Sequence, residues 1–469
     1  MENSDLPQVD HCASPVGWLR RVGPAIIVAS VVLGPGSMLV ASKIGCQYGY
    51  GMLWLLAAAS LLMIAMTALS ARLGVATDQT FCSEIASRLG RPWAALIGTL
   101  MFLVVASFQS SNNMAVVASV NSLVNVMGFA AHDTTDGSSM VENADIATEG
   151  ESDGGAKVWA VGSLLVFNGL IIGLMFGLRR LYEPLEWFMK ILLLVMLVGF
   201  TINLILAGIS ISDLVRGLIP HRAMVDLAEG IWPKLGSDGK IADPLWAIQG
   251  MIATTFSVGA AFYQGYLVKE KGWTLDNLGA GFADSVFGIG VLGICSGMIM
   301  ITSAAAFHGK IEPHELKSAA DVGAQLEPLF GRAATVLFAC GLFAACFSSF
   351  LVNAMIGGVL LADGFGLGGR IDSPWCRRFT GLALVIGMAI GIQATIAGKS
   401  PVGVIVFAQA LTVLGVPLIA LSLLYLATCR DVRQRVTIPA WMYGVSAVGF
   451  LVTVVLATRT AWKLYLQFS

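Results

Sequence analysis

Two short runs in this 469-residue chain could do chemistry with their backbones. Gly34, Pro35, Gly36 and Ser37 interrupt an apolar stretch over 24–45, and Thr254, Thr255, Phe256, Ser257, Val258, Gly259, Ala260 and Ala261 fall in the middle of another over 245–268. Proline removes an amide donor and glycine favours non-helical backbone, so a Gly-Pro-Gly triplet cannot continue a regular helix. A break exposes carbonyls that attract cations and amides that attract anions. Lipid satisfies neither, so breaks at membrane depth persist only where protein or a water-filled cavity surrounds them. The two runs therefore mark a candidate binding site, with backbone carbonyls at Leu33, Gly34 and Thr254 and hydroxyls at Ser37 and Ser257. The plainer alternative is a Gly-Pro kink in one helix and close packing through small residues in the other.

The elements that must hold these runs are membrane helices. Charged residues make up 12% of the chain and apolar residues 56%, against about 25% charged in an average soluble protein. With a mean hydropathy of +0.79, an ordinary soluble enzyme is excluded, as is wholesale disorder. A net charge of −1 without a basic stripe excludes nucleic acid as a partner. The eight cysteines are scattered through apolar runs with no CxxC or other ligand spacing, and read as small buried hydrophobes. No nucleophile elbow, phosphate loop or HExxH motif occurs, so the chain reads as a transporter rather than an enzyme, without a cofactor.

Apolar runs long enough to cross a bilayer are expected at 24–45, 51–73, 94–126, 158–178, 185–207, 245–268, 278–306, 333–361, 379–397, 402–427 and 440–456, eleven spans in all. The short connections that would lie inside, if the N-terminus is cytoplasmic, collect Arg20, Arg21, Arg72, Arg88, Arg91, Arg179, Arg180, Lys269, Lys271, Arg370, Arg377, Arg378, Arg430, Arg433 and Arg435, in keeping with the positive-inside rule. The outer loop over 132–156 is acidic and reads as a solvated segment. A second outer stretch, 209–244, is expected to form a packed cap with one short helix. It divides the chain into a tail at 1–22, a five-helix block at 23–208, a second five-helix block at 245–429, and an eleventh helix with the C-terminus at 430–469. Five helices per block give the two halves opposite topology, the pattern of inverted-repeat secondary transporters.

Titratable groups within the spans are few. Asp284 in the seventh is the main acid and Lys190 in the fifth the main base; the acid is expected either to pair with Lys190 or to cap the small-residue stretch beside Gly279, Gly281 and Gly288. His308, His314, Glu312 and Glu315 form an outer group that reads as solvated loop, with stray metal binding as the alternative.

The order of these features resembles the NRAMP family of metal-ion transporters. Gly23, Pro24 and Ala25 before Gly34 to Ser37 look like the family's first helix. Residues 249–272, ending in Lys269, Glu270, Lys271 and Gly272, look like its sixth, and Ala408, Gln409 and Ala410 before 414–417 look like its tenth. The resemblance implies an all-α integral membrane protein with the LeuT-type fold, two inverted five-helix repeats plus one C-terminal helix, in a bacterial inner membrane. It also implies alternating-access transport of a small ion. The departures fall on the chemistry. The family's Asp-Pro-Gly-Asn is replaced by Gly34, Pro35, Gly36 and Ser37, and its Met-Pro-His by Ser257, Val258 and Gly259. Its third-helix acidic pair falls on Gln109 and Asn112, and only the tenth-helix glutamine, Gln409, is kept. A small organic or zwitterionic solute, or a receptor that moves nothing, are the alternatives these losses leave open. Oligomeric state is not readable from the sequence.

Overall fold

The computed structural model describes residues 23–127, 154–178, 180–208, 211–220, 230–236, 241–313, 315–316, 322–323, 326, 331–397 and 402–468. The expected N-terminal tail, nearly all of the acidic loop, and His314 lie outside the described residues. The helices run α1 (Pro24–Val32), α2 (Pro35–Tyr48), α3 (Leu53–Ala76), α4 (Phe81–Leu89), α5 (Arg91–Met127), α6 (Gly154–Gly177), α7 (Tyr182–Ala207), α8 (Ile211–Gly217), α9 (Trp246–Thr255), α10 (Val258–Glu270), α11 (Leu278–Phe307), α12 (Arg332–Gly364), α13 (Pro374–Ala397), α14 (Val402–Thr428), α15 (Arg430–Arg435) and α16 (Ala440–Phe468). Eight helices among the described residues are long and apolar enough to span a membrane singly, and the pair α1–α2, bent by 61°, makes a ninth. The pair α9–α10 and helix α14 occupy the two remaining expected spans. The protein is a multi-pass membrane protein of all-α architecture, its only described strands being the two-residue pair Lys234–Leu235 and Ile241–Ala242 in the connection after α8.

Close helix contact in a bilayer depends on small residues, because lipid offers no hydrophobic driving force between helices. The α5–α12 seam shows this from both sides. A Cβ at Gly98 would stand 2.3 Å from the Leu360 carbonyl oxygen, and one at Gly364 would stand 2.6 Å from that of Ala94. Helix α1 packs on α10 while α2 packs on α9. The first half of one broken span thus meets the second half of the other, so the two spans run in opposite directions with their breaks at one level.

The start of the first span is held by Asp284 of α11, which is fully buried. Its carboxylate accepts the amides of Gly23 at 2.7 Å and Ala25 at 2.8 Å, and Gln264 Nε2 at 3.2 Å. An anion at a helix N-terminus satisfies amides that have no partner within the helix. The expected pairing with Lys190 does not form: Lys190 bonds Glu186, one turn away on α7, at 2.6 Å, and Lys271 reaches the same carboxylate at 2.9 Å. Replacing Asp284 with leucine would leave those N–H donors unpaired in a dry interior and is expected to cost about 3 kcal/mol. Thermal unfolding in detergent checks this, and an unchanged midpoint contradicts it.

Helix α4 was not anticipated. It lies along the end of the bundle, fixed by the buried Asp363 of α12, which accepts the Cys82 amide at 3.1 Å, Ser83 Oγ at 2.6 Å and the Tyr266 hydroxyl at 2.7 Å. From α4 the partly buried Arg88 bonds Asp431 of α15 at 2.6 Å and the buried Glu84 at 3.0 Å. The guanidinium holds the Asp431 carboxyl down at about 2. A lowered carboxylate pKa stabilises the fold above the unfolded value, near 4, and that contribution is lost as pH falls through the folded value. Asp431 is more than half exposed, so the contribution is small. In an Arg88→Met variant the Asp431 carboxyl is expected to titrate near 4, as followed by carboxyl NMR; a midpoint still near 2 contradicts the assignment.

At the opposite end, α16 is clamped to α9, the first half of the second broken span. The buried Arg459 donates to Asp243 Oδ1 at 2.7 Å and Gln249 Oε1 at 3.0 Å, and Gln249 Nε2 donates to Thr460 at 2.8 Å. At that same end His308 bonds the Cys46 carbonyl at 2.8 Å. Among the described residues no group of three His, Cys, Asp or Glu side chains could hold a metal; His314 of the His/Glu group lies outside the described residues.

Candidate functional site

The first break is a direct consequence of Pro35. Regular α geometry would give the Val31 carbonyl an amide from residue 35, and proline has none. The Gly34 amide turns back to the Val32 carbonyl at 2.9 Å instead of reaching Ser30. The Ser30 carbonyl released by that turn is taken by Ser348 Oγ of α12 at 2.8 Å. Gly34 is extended, with ψ near 178°, and opens α2. Among the described residues the carbonyls of Val31 and Leu33 accept no hydrogen bond. The Gly34 carbonyl, expected to be available, is occupied twice, by the Met38 amide at 3.1 Å and by Ser37 Oγ at 2.8 Å. Ser37 thereby spends its proton within the first turn of α2, leaving its oxygen as an acceptor only. Gly36 is exposed with nothing within 4 Å of a side chain there.

The second break lies between α9 and α10. The Phe256 amide closes the last α9 bond on Ile252 at 2.8 Å, and Ser257, in an extended conformation, begins α10 by giving its carbonyl to Ala261 at 2.9 Å. Among the described residues the Thr254 carbonyl receives no donor. The Thr254 hydroxyl is turned back to the Gly250 carbonyl at 2.8 Å, so this residue offers its carbonyl rather than its side chain. Ser257 is partly exposed, and its hydroxyl makes no cap bond to α10. A Cβ at Gly259 would stand 2.6 Å from Met101 Cε, so a methionine from α5 fills the volume that a side chain there would need. The backbone of Gln409 lies in α14; its side chain is outside the described residues.

Gln109 and Asn112 stand together in α5, buried, in a chain of neutral amides. Gln109 Nε2 donates to the Phe350 carbonyl of α12 at 2.8 Å, and Asn112 Nδ2 donates to Gln109 Oε1 at 2.6 Å. Asn113 reaches the Gln109 carbonyl at 2.8 Å, and Asn168 of α6 reaches Asn113 at 2.7 Å. No member of this chain gains or loses a proton in the physiological range. It joins three helices without titrating.

Two features escaped the sequence reading. Ser348 and Ser349 of α12 line the first break, with Ser349 Oγ 2.8 Å from where a Cβ at Gly34 would be, and Asn353 donates to Ser349 from behind. Their signal was present as three polar residues inside the apolar run 333–361. Met101 carried no signal, since one methionine in an apolar span has no preferred face.

Known proteins share both sequence and fold. A sequence model of the natural resistance-associated macrophage protein-like family matches residues 25–463. The divalent metal cation transporter MntH of Pectobacterium carotovorum is 25% identical over 454 residues, covering 95% of this chain and 94% of that protein. The transporter of the same name from Deinococcus radiodurans is 25% identical over 450 residues, covering 92% and 89%. In three dimensions the chain is similar to a variant of the manganese transporter of Eremococcus coleocola, with a TM-score of 0.72 at 18% identity, covering 97% of this chain and 88% of that one. It is similar at lower score to MhsT, solved with L-phenylalanine, with a TM-score of 0.53 at 15% identity over 95% and 99% of the two chains. These likenesses carry the LeuT-type fold, and the family match across nearly the whole length settles descent: the chain belongs to the natural resistance-associated macrophage protein-like family.

Proposed function

We propose that this protein is a secondary transporter that carries a small cation, a metal ion, across the membrane by alternating access. The observation that carries the reading is the pair of breaks, lying at one level in adjacent antiparallel spans, with carbonyls at Val31, Leu33 and Thr254 free of donors. Oxygens of this kind replace water around an ion. The relatives' names, divalent metal cation transporter and manganese transporter, support metal as the class of cargo. The site proposed comprises Gly34, Pro35, Gly36, Ser37, Thr254, Ser257, Gly259 and Gln409, with Leu33, Ser37, Thr254, Ser257 and Gln409 contributing oxygens.

This donor set is neutral. Hard and borderline divalent ions normally receive at least one carboxylate, so the cargo is either monovalent or a divalent ion that keeps much of its water. The amides at Gln109 and Asn112 neither gain nor lose protons in the physiological range, so transport does not draw on a proton path through α5. The basic residues of the short connections support a cytoplasmic N-terminus, by the positive-inside rule, in a protein of a bacterial inner membrane. Residues 23–208 and 245–429 form the two repeats that move against each other.

Purified protein in liposomes is expected to take up one or more of manganese, magnesium and sodium above empty vesicles, with no uptake of amino acids. An imposed proton gradient is expected to leave the parent's uptake rate unchanged. Uptake equal to empty vesicles for every cation would sink the reading.

A further inference from the structure

We propose that α16, the helix outside the two repeats, is a splint for α9, and that Arg459 and Gln249 are positioning residues that hold the Thr254 carbonyl in place at the second break. The inference rests on the transport reading above and names what orients one of its ligands.

Helix α9 has ten residues, and no backbone hydrogen bond among the described residues crosses from it into α10. The Phe256 amide turns back to Ile252, and the Ser257 carbonyl accepts from Ala261 ahead of it. A helix cut off in this way is free to turn about the break as one rigid piece, with the donor-free Thr254 carbonyl near its tip. Its orientation has to come from its neighbours. One neighbour is α2, where Val40 Cγ1 stands 3.5 Å from the position of a Cβ at Gly250. Apolar contact of that kind is non-directional. The directional bonds come from α16.

Gly449, Thr453 and Thr460 recur on one face of α16, and Arg459 flanks it. At one end of that face Arg459 donates from Nη2 to Asp243 Oδ1 at 2.7 Å and from Nε to Gln249 Oε1 at 3.0 Å, while Gln249 Nε2 donates to Thr460 Oγ1 at 2.8 Å. The Gln249 amide thus uses both its acceptor and its donor on α16, which fixes the way it faces. The Arg459 and Asp243 side chains are 6% and 5% exposed, removed from the water that would weaken such bonds. At the other end of the face, a Cβ at Gly449 would stand 2.8 Å from Phe256 Cζ. The ring of the residue that closes α9 therefore rests on the α16 backbone. The contacts at Gln249 and Phe256 bracket Thr254, so α16 holds α9 on both sides of the ligand.

The test uses the full-length protein, with uptake of manganese, magnesium and sodium into liposomes and amide hydrogen exchange in detergent. Gln249→Leu and Arg459→Met are each expected to raise KM for the transported cation about tenfold, with less than about a twofold change in maximal rate, because a displaced ligand weakens binding. A merely structural residue would lower the amount of folded protein, and with it the maximal rate, at unchanged KM. The two substitutions together raise KM no further than the larger of them, since both cut one link. Thr460→Ser, which keeps the hydroxyl, stays at the parent KM. So does Lys463→Met, which removes a partly exposed partner of Asp243 at 3.3 Å. In both single variants the amides of 246–256 exchange about tenfold faster, while those of 258–270 keep the parent's rate. A parental KM in both Gln249→Leu and Arg459→Met overturns the inference, as does exchange that quickens equally in α9 and α10. If the parent takes up none of these cations, the transport reading fails, and the exchange pattern alone still decides whether α16 holds α9.

Discussion

Replacing Pro35 with alanine is expected to cut cation uptake tenfold or more while leaving the protein at least as stable, because the break is made by one missing amide. Residue 35 would regain an N–H in line with the Val31 carbonyl, and alanine is the residue most favourable to a helix. Pairing that carbonyl removes one cation ligand and draws α1 and α2, now bent by 61°, toward a single rod. The control is Gly169→Ala on α6, outside the proposed site. Nothing lies within 4 Å of a side chain there, so that substitution leaves uptake near the parent value. Loss of transport in both variants, or in neither, would show that the cargo does not depend on the broken backbone.

The second large effect concerns the scaffold. Gly98→Val puts a branched side chain where even a Cβ would stand 2.3 Å from the Leu360 carbonyl oxygen. Backbone cannot rotate aside as a side chain can, so α5 and α12 must separate, at a cost of about 3 kcal/mol or more. Because α12 carries Ser349 and the Phe350 carbonyl that anchors Gln109, the strain reaches both the break and the amide chain. Folded yield and unfolding midpoint should fall sharply, and uptake with them. Gly162→Val on α6, where nothing lies within 4 Å of a Cβ, should be tolerated. Equal stability in the two variants would contradict the seam.

Much of this architecture was legible because membranes impose strong rules. Spans follow from apolar length, and the breaks from Gly34, Pro35 and Gly36, whose effect on a helix is local. The loss of acids at Gln109 and Asn112 was equally plain, since a side chain's ability to titrate is written in its type. Features made by tertiary contact were not legible. Helix α4 is too short to announce itself and depends on the buried Asp363 from a helix more than two hundred residues away. Asp284 was seen as an unusual acid, but its true partners are backbone amides, which every residue but proline carries and which no sequence pattern distinguishes. Availability of the Gly34 carbonyl was also misjudged, because whether Ser37 folds back on it depends on a rotamer. Ser349 reaches the first break only through the packing of α12 on α1.

The central claim is that a cation binds where two broken spans lie side by side, held by neutral oxygens. Anomalous diffraction from crystals soaked in manganese tests it most directly, with thallium standing in for a monovalent ion. The account predicts a peak between the carbonyls of Leu33 and Thr254, close to Ser349, which disappears in the Pro35→Ala variant. Peaks confined to the protein surface, or a central peak that survives in that variant, would contradict it.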